Sequence, residues 1–489
     1  MRLLAGLDTE YGLLIEGRGA EEQIEDATAL VRAYPGECFV GWNYRYESPR
    51  ADLRGFKLKA LAYDPEDAKF DRGRSYGDPH EIRADRILPN GARLYNDHGH
   101  PEYATPECWS AFELARHEQA GAQAVLSAAR ALSAATELDV AVYKNNTDFH
   151  GASWGSHESY LVPRELGFER LFRDLLPMMV VRQVLVGAGK VGAEHGRAAT
   201  YQLSQRADFF VEPANAETLF RRPIFNTRDE PHTDPKGWTR LHVICGDSNM
   251  ICSATARKVL LMKLAIRLCI EGTAPVFALK DAVRSFQEIS KDESYRFEIE
   301  LERRSWTTAR EVFAAYFGAA EATLELDEEE RWVIDSSREL LEDLYGGNGE
   351  RFSRSVDWAA KKNMLEHYLE EEGTDWRDPG LRSFDMEYAN VDPDASLHQA
   401  LVEMGRVEDN PGDLGAYLAD STEGTRARVR GLAVSKYKEN LVNACWRSVT
   451  LRTDSGEKEL DLDPTREYPA ELANTNSVES FIQAIEGLP

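Results

Sequence analysis

The chain has 489 residues, of which 84 are acidic and 58 are basic, and its formal charge at pH 7 is −26. This length allows two or three domains with sizeable cores, and the acidic excess, with no long basic tract to offset it, disfavours binding to nucleic acid. Six cysteines without a CxxC pair and the lack of an apolar run of about 20 residues predict a cytoplasmic protein that has no disulfide framework and does not cross a membrane.

The spacing of apolar residues predicts strands in the first half of the chain and helices in both halves. The predicted strands span residues 2–7, 92–96, 140–143 and 239–245, and the predicted helices span 21–33, 253–271, 306–318, 328–344 and 356–371. A further helix is predicted to begin at Thr105-Pro106 and to run to about Ala135, with Thr105 as its N-cap and Pro106 as its first residue.

Two segments interrupt these elements. Residues 64–86 mix both charges densely and have little to bury, so we predict a mobile loop insertion over about 50–86. The breaker cluster at 410–412, Asn-Pro-Gly, separates the helical region from further predicted strands. We therefore predict a large domain over residues 1–410 and a small C-terminal domain over 411–489.

Two carboxylates lie at the end of the first predicted strand. Asp8 and Glu10 are two residues apart, so their side chains point to the same face of the strand. Like charges at this spacing repel each other unless a cation lies between them, and hard oxygen ligands of this kind suit magnesium. A single pair of this kind is too weak a signal to define a metal site by itself.

The second predicted strand also carries a polar face. The two-residue period puts Arg93, Tyr95 and Asp97 on one side of this strand. Taken alone, the pattern also fits the solvated face of a half-buried strand. The segment from His98 to Thr105 then adds two imidazoles, a carboxylate and a hydroxyl beside a predicted helix N-terminus, which favours phosphate or metal chemistry.

Two further polar segments remain open to more than one interpretation. Residues 144–158 form a glycine-containing polar loop that could hold a nucleotide or could be a turn-rich surface connection. Arg240 and His242 face away from the core side of their strand, where a lone histidine is most often structural. No GxxxxGK[ST], strand-linked GxGxxG, GxSxG or HExxH motif occurs, which disfavours a P-loop NTPase, a Rossmann dehydrogenase, a serine hydrolase and a zincin.

Ordered blocks of residues, spread over most of the chain, resemble one known family. The blocks are Thr9 to Gly12, Asn90 to Glu107, Lys144 to Tyr160, Gln202 to Arg206, Asn226 to His232 and Leu241 to Asn249. They resemble the family that contains the ligase of the prokaryotic ubiquitin-like protein (Pup) and the Pup deamidase/depupylase, relatives of the glutamine synthetases. The resemblance implies an α+β fold, in which a curved antiparallel sheet backed by helices forms a cradle for ATP and magnesium, and a small C-terminal α/β domain closes against it.

The resemblance also implies roles for individual residues. The expected magnesium ligands are Asp8, Glu10, Tyr95 and Glu102, and the residues expected to contact ATP are Arg93, Thr105 and Trp446. Asp97 matches the catalytic aspartate of the family. Position 8 departs from the family, which usually has Glu there, and the shorter Asp side chain could hold its metal through a water.

The family divides into ligases and deamidases/depupylases, and this sequence has features of both. Residues 42–56, with the long loop that follows, resemble an insertion of the deamidase branch, and the spacing of His98 and His100 is also that of the deamidases. Residues 102–105, 146–148, 187–190 and 247–250 resemble the ligases more. We predict the deamidase/depupylase activity, because an insertion near the active site is harder to mimic than single substitutions. A ligase and a non-catalytic ATP-binding regulator are the alternatives.

The expected partners are a small acidic ubiquitin-like tag and proteins that carry this tag on a lysine. The reaction is attack on a carboxamide, either the side chain of a C-terminal Gln of the tag or the isopeptide bond between its C-terminal Glu and the lysine. Asp97 would act as nucleophile or as base toward water. The basic segment from Arg426 to Lys438 could attract the tag or could be a solvated helix face. We expect a monomer.

Overall fold

A seven-stranded antiparallel sheet lies at the centre of the computed structural model, which describes residues 2–59 and 79–489. In this part of the chain, the strands β1 to β18 are Ala5–Glu10, Gly12–Ile15, Phe39–Val40, Arg86–Ile87, Arg93–Asp97, His100–Ala104, Val140–Tyr143, Ser156–Pro163, Lys190–Val191, Tyr201–Gln202, Phe210–Asn215, Arg222–Asn226, Trp238–Val243, Glu298–Glu300, Trp306–Thr308, Leu441–Ala444, Ser448–Thr453 and Gly456–Asp461. The helices α1 to α16 of the same residues are Gln23–Arg32, Pro79–Arg83, Ala111–Thr136, Gly167–Val181, Gln183–Val186, Cys252–Glu271, Ala282–Ser290, Ala309–Thr323, Glu328–Tyr345, Gly349–Ser353, Asp357–Glu372, Leu381–Tyr388, Leu397–Glu403, Gly415–Ala419, Ala427–Ser435 and Val478–Glu486. None of these described helices has the length and apolarity needed to span a lipid bilayer.

The central sheet has two different faces because side chains alternate along each strand. Its strand order is β13-β8-β1-β6-β5-β4-β3, so β1 is an inner strand between β8 and β6. Leu7 of β1, Tyr160 of β8 and Leu241 of β13 belong to a large apolar core that residues of α4 and α6 complete. Asp8 and Glu10 of β1 point to the opposite face. The sheet therefore has one helix-covered face and one polar face.

Helix α3 packs very closely on the helix-covered face. A β-carbon at Gly121 of α3 would lie only 2.1 Å from the Cδ1 atom of Tyr103 in β6, so glycine is required at this contact. The Tyr103 hydroxyl accepts a hydrogen bond from the side-chain amide of Asn90 at 2.8 Å. These contacts hold β5 and β6 against α3, and thereby fix the polar side chains on the other face of the two strands.

The C-terminal residues form an apolar cluster of their own. The antiparallel strands β16, β17 and β18 pack with α15 and α16, and Trp42 and Ile87 from the N-terminal part join the same cluster. Helix α14 lies instead beside α3, where Leu418 packs against the core and the Tyr417 carbonyl accepts a hydrogen bond from Asn90 at 2.7 Å. The domain boundary near residue 411 stays a prediction.

The predicted α+β fold is confirmed, but the predicted N-cap of α3 is wrong. Helix α3 begins at Ala111, and its N-cap is Ser110, whose side chain accepts a hydrogen bond from the backbone N–H of Glu113 at 3.1 Å. Thr105 lies earlier, where its backbone N–H donates to the Leu7 carbonyl at 2.9 Å. The chain after β6 therefore still pairs with β1 at the position where the sequence pattern predicts a helix start.

The loop predicted over 50–86 is wrong at its C-terminal end. Residues 79–83 form α2 and residues 86–87 form β4. β4 pairs with both β3 and β5, so this segment belongs to the central sheet. The part of the predicted loop from residue 60 to residue 78 lies outside the described residues.

Candidate active site

The polar face of the sheet brings together the carboxylates that the sequence analysis singled out. Glu10 of β1 pairs in register with Glu102 of β6, and Glu102 pairs with Tyr95 of β5. Asp8 pairs with His157 of β8 on the other side of β1. Four predicted magnesium ligands from three neighbouring strands therefore share one face.

A first group of possible metal ligands consists of Glu10, Asp97 and Glu102, with one oxygen of each lying within 4.8 Å of the others. Burial, and then the charge of Asp97, raises the pKa of Glu10 to about 7. Burial, followed by the charges of Asp97, Glu10 and Asp8, raises the pKa of Glu102 well above its usual value. These carboxylates are costly to ionise together without a cation, and their hard oxygens are the donors that magnesium prefers.

A second group consists of Asp8, His157 and His242, whose ligand atoms also lie within 4.8 Å of one another. Burial, and then neighbouring arginines, lowers the pKa of both histidines well below its usual value, so both imidazoles are neutral. Both ring nitrogens of His242 are buried and have no hydrogen-bond partner among the described residues. Neutral imidazoles with free nitrogens are suited to bind a metal ion.

His157 and His242 were not predicted as ligands from the sequence, in which a lone histidine such as His242 is most often structural. Each lies on a different strand from Asp8, and the pairing of β1 with β8 and of β8 with β13 brings them together. The period-two alternation places each histidine on the polar face once the strand order is known. The sequence alone does not give that order.

Asp97 lies at the tip of the hairpin between β5 and β6. The two turn residues His98 and Gly99 have φ angles of 50° and 94°, as a two-residue type I′ turn requires. Asp97 Oδ2 lies 2.9 Å from His98 Nδ1, and Asp97 Oδ1 lies 3.6 Å from a guanidinium nitrogen of Arg83 in α2. Burial alone would raise the pKa of Asp97, but His98, Arg83 and Arg93 together lower it, so Asp97 is a carboxylate.

Arg93 lies beside these groups and is paired within the protein. Its guanidinium contacts the Asp85 carboxylate at 2.6 Å and lies 3.8 Å from the centre of the Tyr95 ring and 4.2 Å from that of Trp42. The aromatic faces and Asp85 together hold this cation rigidly. Arg93 is therefore a fixed positive charge next to Asp8 and Asp97 rather than a mobile one.

Thr105 and Trp446, the other two residues expected to contact ATP, border a single cavity together with Asp8. The Thr105 hydroxyl accepts a hydrogen bond from the Leu7 backbone N–H at 3.0 Å, so the structure already uses one of its lone pairs. The Trp446 ring lies edge-on to Trp42 at 5.0 Å between centroids. Arg240 also lines this cavity.

Three arginines that the sequence analysis noted only as polar residues also approach this face. Arg240 lies 2.9 Å from His232 Nε2, and Arg228 lies 3.9 Å from Glu230. Arg206 is buried and donates to Ser153 Oγ at 3.3 Å. Their positive charges act on the pKa values of Asp8, Glu10, His157 and His242.

Comparison with known proteins identifies the family. Residues 3–450 match the family described as Pup-ligase protein. The chain belongs to this family. It is 34% identical over 485 residues to the depupylase of Acidothermus cellulolyticus, with 95% of each chain covered. It is 33% identical to the Pup deamidase/depupylase of Mycolicibacterium smegmatis, and that match covers the whole of both chains.

Ligases and solved structures of the family are similar as well. The Pup–protein ligase of Corynebacterium jeikeium is 34% identical over 81% of this chain and 88% of its own. The crystal structure of the complex between Pup and its ligase PafA has a TM-score of 0.78 and 26% identity, covering 99% of this chain and 92% of that chain. A structure of PafA in complex with ADP has a TM-score of 0.73 and 27% identity, covering 88% of this chain and 95% of that chain. The resemblance predicted from the sequence is therefore confirmed.

Proposed function

We propose that this protein is a deamidase/depupylase that depends on ATP and magnesium and acts on a small acidic ubiquitin-like tag in the cytoplasm. It hydrolyses the side-chain amide of a C-terminal Gln, or the isopeptide bond between a C-terminal Glu and a substrate lysine. The observation that carries the direction of the reaction is the extent of the matches. The depupylase relatives cover 95–100% of this chain, whereas the ligase relatives cover 71–81% of it at similar identity.

The residues of the polar face fit magnesium and a nucleotide. Glu10, Glu102 and Tyr95 would hold one magnesium ion through oxygen atoms. Asp8 with His157 and His242 would hold a second divalent ion, and these two imidazoles suit a transition metal better than magnesium. Thr105 and Trp446 would border the nucleotide in the cavity that they share with Asp8. Bound magnesium nucleotide would supply positive charge to carboxylates whose pKa values are raised by burial and mutual repulsion.

Within this arrangement Asp97 carries the reaction, either as the nucleophile or as the base toward water. His98 and Arg83 contact its two carboxylate oxygens and hold it ionised at the mouth of the site. Arg93 supplies a fixed positive charge near the carbonyl oxygen that becomes negative during attack. Removal of one such donor typically slows a reaction by a factor of about 10² to 10³.

The ligase remains a second candidate, because the two similar solved structures are of Pup ligases. As a ligase, the protein would activate the Glu side chain with ATP, and Asp97 would help to deprotonate the incoming lysine. A regulator that binds ATP and tag without turnover is the third candidate. The ionised Asp97 at the mouth of the site weighs against this last function.

One enzyme preparation, assayed for both hydrolysis and ligation of the tag, distinguishes these three candidates. The first sample contains a lysine-linked tag conjugate with ATP and magnesium, and the second contains free tag ending in Glu with ATP, magnesium and an acceptor protein. We expect tag release in the first sample without a matching amount of ATP cleavage, because hydrolysis of an amide in water is downhill. The Asp97→Asn variant, prepared in parallel, controls for a contaminating hydrolase.

Each other outcome favours a different candidate. Formation of conjugate in the second sample, with one ATP cleaved for each bond, and no release in the first would establish the ligase. Binding of tag and ATP with neither reaction would establish the regulator. Release of tag at the same rate by the Asp97→Asn preparation would remove Asp97 from the mechanism.

A further inference from the structure

His98 lies at the tip of the β5–β6 hairpin, where the proposed function uses it only to hold Asp97 ionised. It occupies the first turn position with a φ angle of 50°, a conformation that is uncommon for residues other than glycine but that Asn, Asp and His adopt more often than the rest. Its side chain is 53% exposed, whereas that of Asp97 is 20% exposed. The turn thus presents a half-exposed imidazole at the hairpin tip while one of its nitrogens contacts Asp97.

The second histidine of the hairpin, His100, provides a clear contrast. Its ring stacks on Trp154 with 4.7 Å between centroids, and its Nε2 lies 3.0 Å from the Gln23 side-chain amide. Its Nδ1 lies 3.3 Å from the Tyr11 carbonyl, so both nitrogens have partners. His98 uses only Nδ1, toward Asp97, and within the described part of the chain we find no hydrogen-bond partner for its Nε2.

The hydrolysis of an amide requires a proton donor at the leaving nitrogen. An amine leaves a tetrahedral intermediate only after its nitrogen has been protonated, and a positioned general acid typically accelerates such a step by about 10² to 10⁴. We propose that His98 is this general acid and donates its Nε2 proton to the departing nitrogen, an inference that rests on the proposed hydrolase function.

The proposed cycle balances as follows when Asp97 is the nucleophile. One Asp97 oxygen bonds to the amide carbon, the carbon–nitrogen bond breaks, and the Nε2 proton of His98 moves to the nitrogen, which leaves as ammonia or as the lysine amine. Water then attacks the Glu carbonyl of the resulting anhydride and gives one proton to His98 Nε2. The bond between this carbonyl and Asp97 breaks, which releases the Glu side chain and restores both residues.

The charges around His98 favour this role. The charge of Asp97 raises the pKa of His98 to about 9, with Glu10 acting in the same direction and burial and Arg83 acting against it. Removal of the negative charge of Asp97 by acylation would weaken the hold on the proton, so that the transfer becomes favourable when the nitrogen leaves.

A pair of substrates with different leaving groups tests the proposal. One substrate is the tag with its C-terminal Gln, and the other is the same tag with a 4-nitrophenyl ester at the same carbonyl, whose phenolate departs without prior protonation. The variant is His98→Asn, because asparagine tolerates the left-handed turn. We expect this variant to lose about 10² to 10⁴ in kcat on the Gln substrate but less than about 10-fold on the ester.

Matched variants separate chemistry from structure. His100→Gln removes the other histidine of the hairpin and should change turnover of both substrates by the same factor, because its contacts are with neighbouring side and main chains. His98→Gln, with intact magnesium-dependent ATP binding, provides a second test if the asparagine variant does not fold.

Equal losses on both substrates in the His98 variants would overturn the general-acid role. A wild-type enzyme that hydrolyses neither substrate would overturn the proposed function and this inference with it. Because the wild-type enzyme alone reveals a failure of the proposed function, that failure is distinguishable from a failure of the general-acid role, which only the variants reveal.

Discussion

Glu102, which is buried, and Glu107, which is partly buried five residues further on, have opposite electrostatic surroundings. Glu107 contacts Arg426 at 2.7 Å and also Arg430, and these cations outweigh burial and lower its pKa to about 2. Glu102 faces Glu10, Asp97 and Asp8, and burial with these charges raises its pKa well above the usual value. The protein thus stabilises the charged form of Glu107 and destabilises the charged form of Glu102.

This difference distinguishes a structural ion pair from a site that awaits a ligand. The charge of Glu107 is neutralised by the protein's own cations, which connect the start of α3 to α15. Glu10 and Glu102 form no ion pair with a described residue, so a bound cation has to provide what the chain does not. A carboxylate that faces other carboxylates in the interior indicates a functional site, whereas one paired with arginines of the protein indicates a structural ion pair.

The comparison also corrects an expectation about the basic segment from Arg426 to Lys438. We predicted that it either attracts the acidic tag or forms a solvated helix face. Arg430 is completely buried and Arg426 nearly so, and both contact Glu107. These two arginines therefore serve the packing of the C-terminal residues and are not free to attract a partner.

The largest effect is expected when the charge of Asp97 is removed. Asp97→Asn keeps the shape of the side chain but lacks a nucleophile or base, so tag release should fall by about 10² to 10⁴, or more, while the protein still folds and binds nucleotide. Steady-state release assays and thermal unfolding of the same preparation measure the two properties. Activity within a few-fold of wild type would end the catalytic assignment.

The reverse pattern is expected for Glu107. Glu107→Gln leaves Arg426 and Arg430 buried without a counter-charge, which should lower the free energy of unfolding by about 3 kcal/mol, whereas the chemistry at Asp97 should be intact in the folded fraction. Denaturant titration gives the stability. Glu423→Gln is the matched control, because Glu423 is 82% exposed and contacts Arg428 only at 3.6 Å. Equal losses in the free energy of unfolding of the two variants would show that the Glu107 ion pair stabilises the fold no more than the exposed Glu423 contact does.

Glu102→Gln should separate metal binding from folding. Because burial and the neighbouring carboxylates raise the pKa of Glu102 and disfavour its charged form in the metal-free protein, an isosteric amide should change metal-free stability little. It should abolish most of the stabilisation that magnesium ATP provides, which is about 2.7 kcal/mol for a ligand at 100 times its Kd. Thermal unfolding with and without magnesium ATP measures both. An undiminished ligand-induced shift in the variant would remove Glu102 from the metal site.

The smallest expected effect is the change with pH in the stability that Glu107 contributes through its contacts with Arg426 and Arg430. Because the folded pKa of about 2 lies below the unfolded value of 4.5, this group stabilises the fold above pH 4.5 and loses that contribution as pH falls toward 2. The stability gap between wild type and Glu107→Gln should therefore narrow by about 1 kcal/mol between pH 6 and pH 3.5. Urea titrations at the two pH values measure the gap. A gap that widens on acidification would contradict the lowered pKa.

The local elements were largely predictable from the sequence, and the long-range pairings were not. The alternation of polar and apolar residues placed Asp8, Glu10, Arg93, Tyr95 and Asp97 on one face, as the structure shows. The same local rules misplaced a helix start at Thr105-Pro106, because they cannot include the hydrogen bonds that this segment makes with β1.

The histidine ligands illustrate the same limit within the site. His157 and His242 come next to Asp8 only through the order β13-β8-β1, which depends on residues up to 234 positions apart. Similarly, Arg430 contacts Glu107, which lies 323 residues away in the chain, so the sequence alone does not reveal that this arginine is paired rather than solvated. Residue chemistry indicates candidates, and tertiary pairing decides which of them meet.

The most direct test of the central claim is a crystal structure of the wild-type protein with ADP and manganese, in which anomalous scattering locates the metal ions. We expect manganese bound by Glu10 and Glu102, and by Asp8 with His157 and His242, while the Asp97 carboxylate remains unliganded beside His98. Glu107 should stay paired with its two arginines, with no metal near it. Manganese bonded to Asp97, or no metal at the Glu10–Glu102 pair, would contradict the division between ligand-binding and reacting carboxylates.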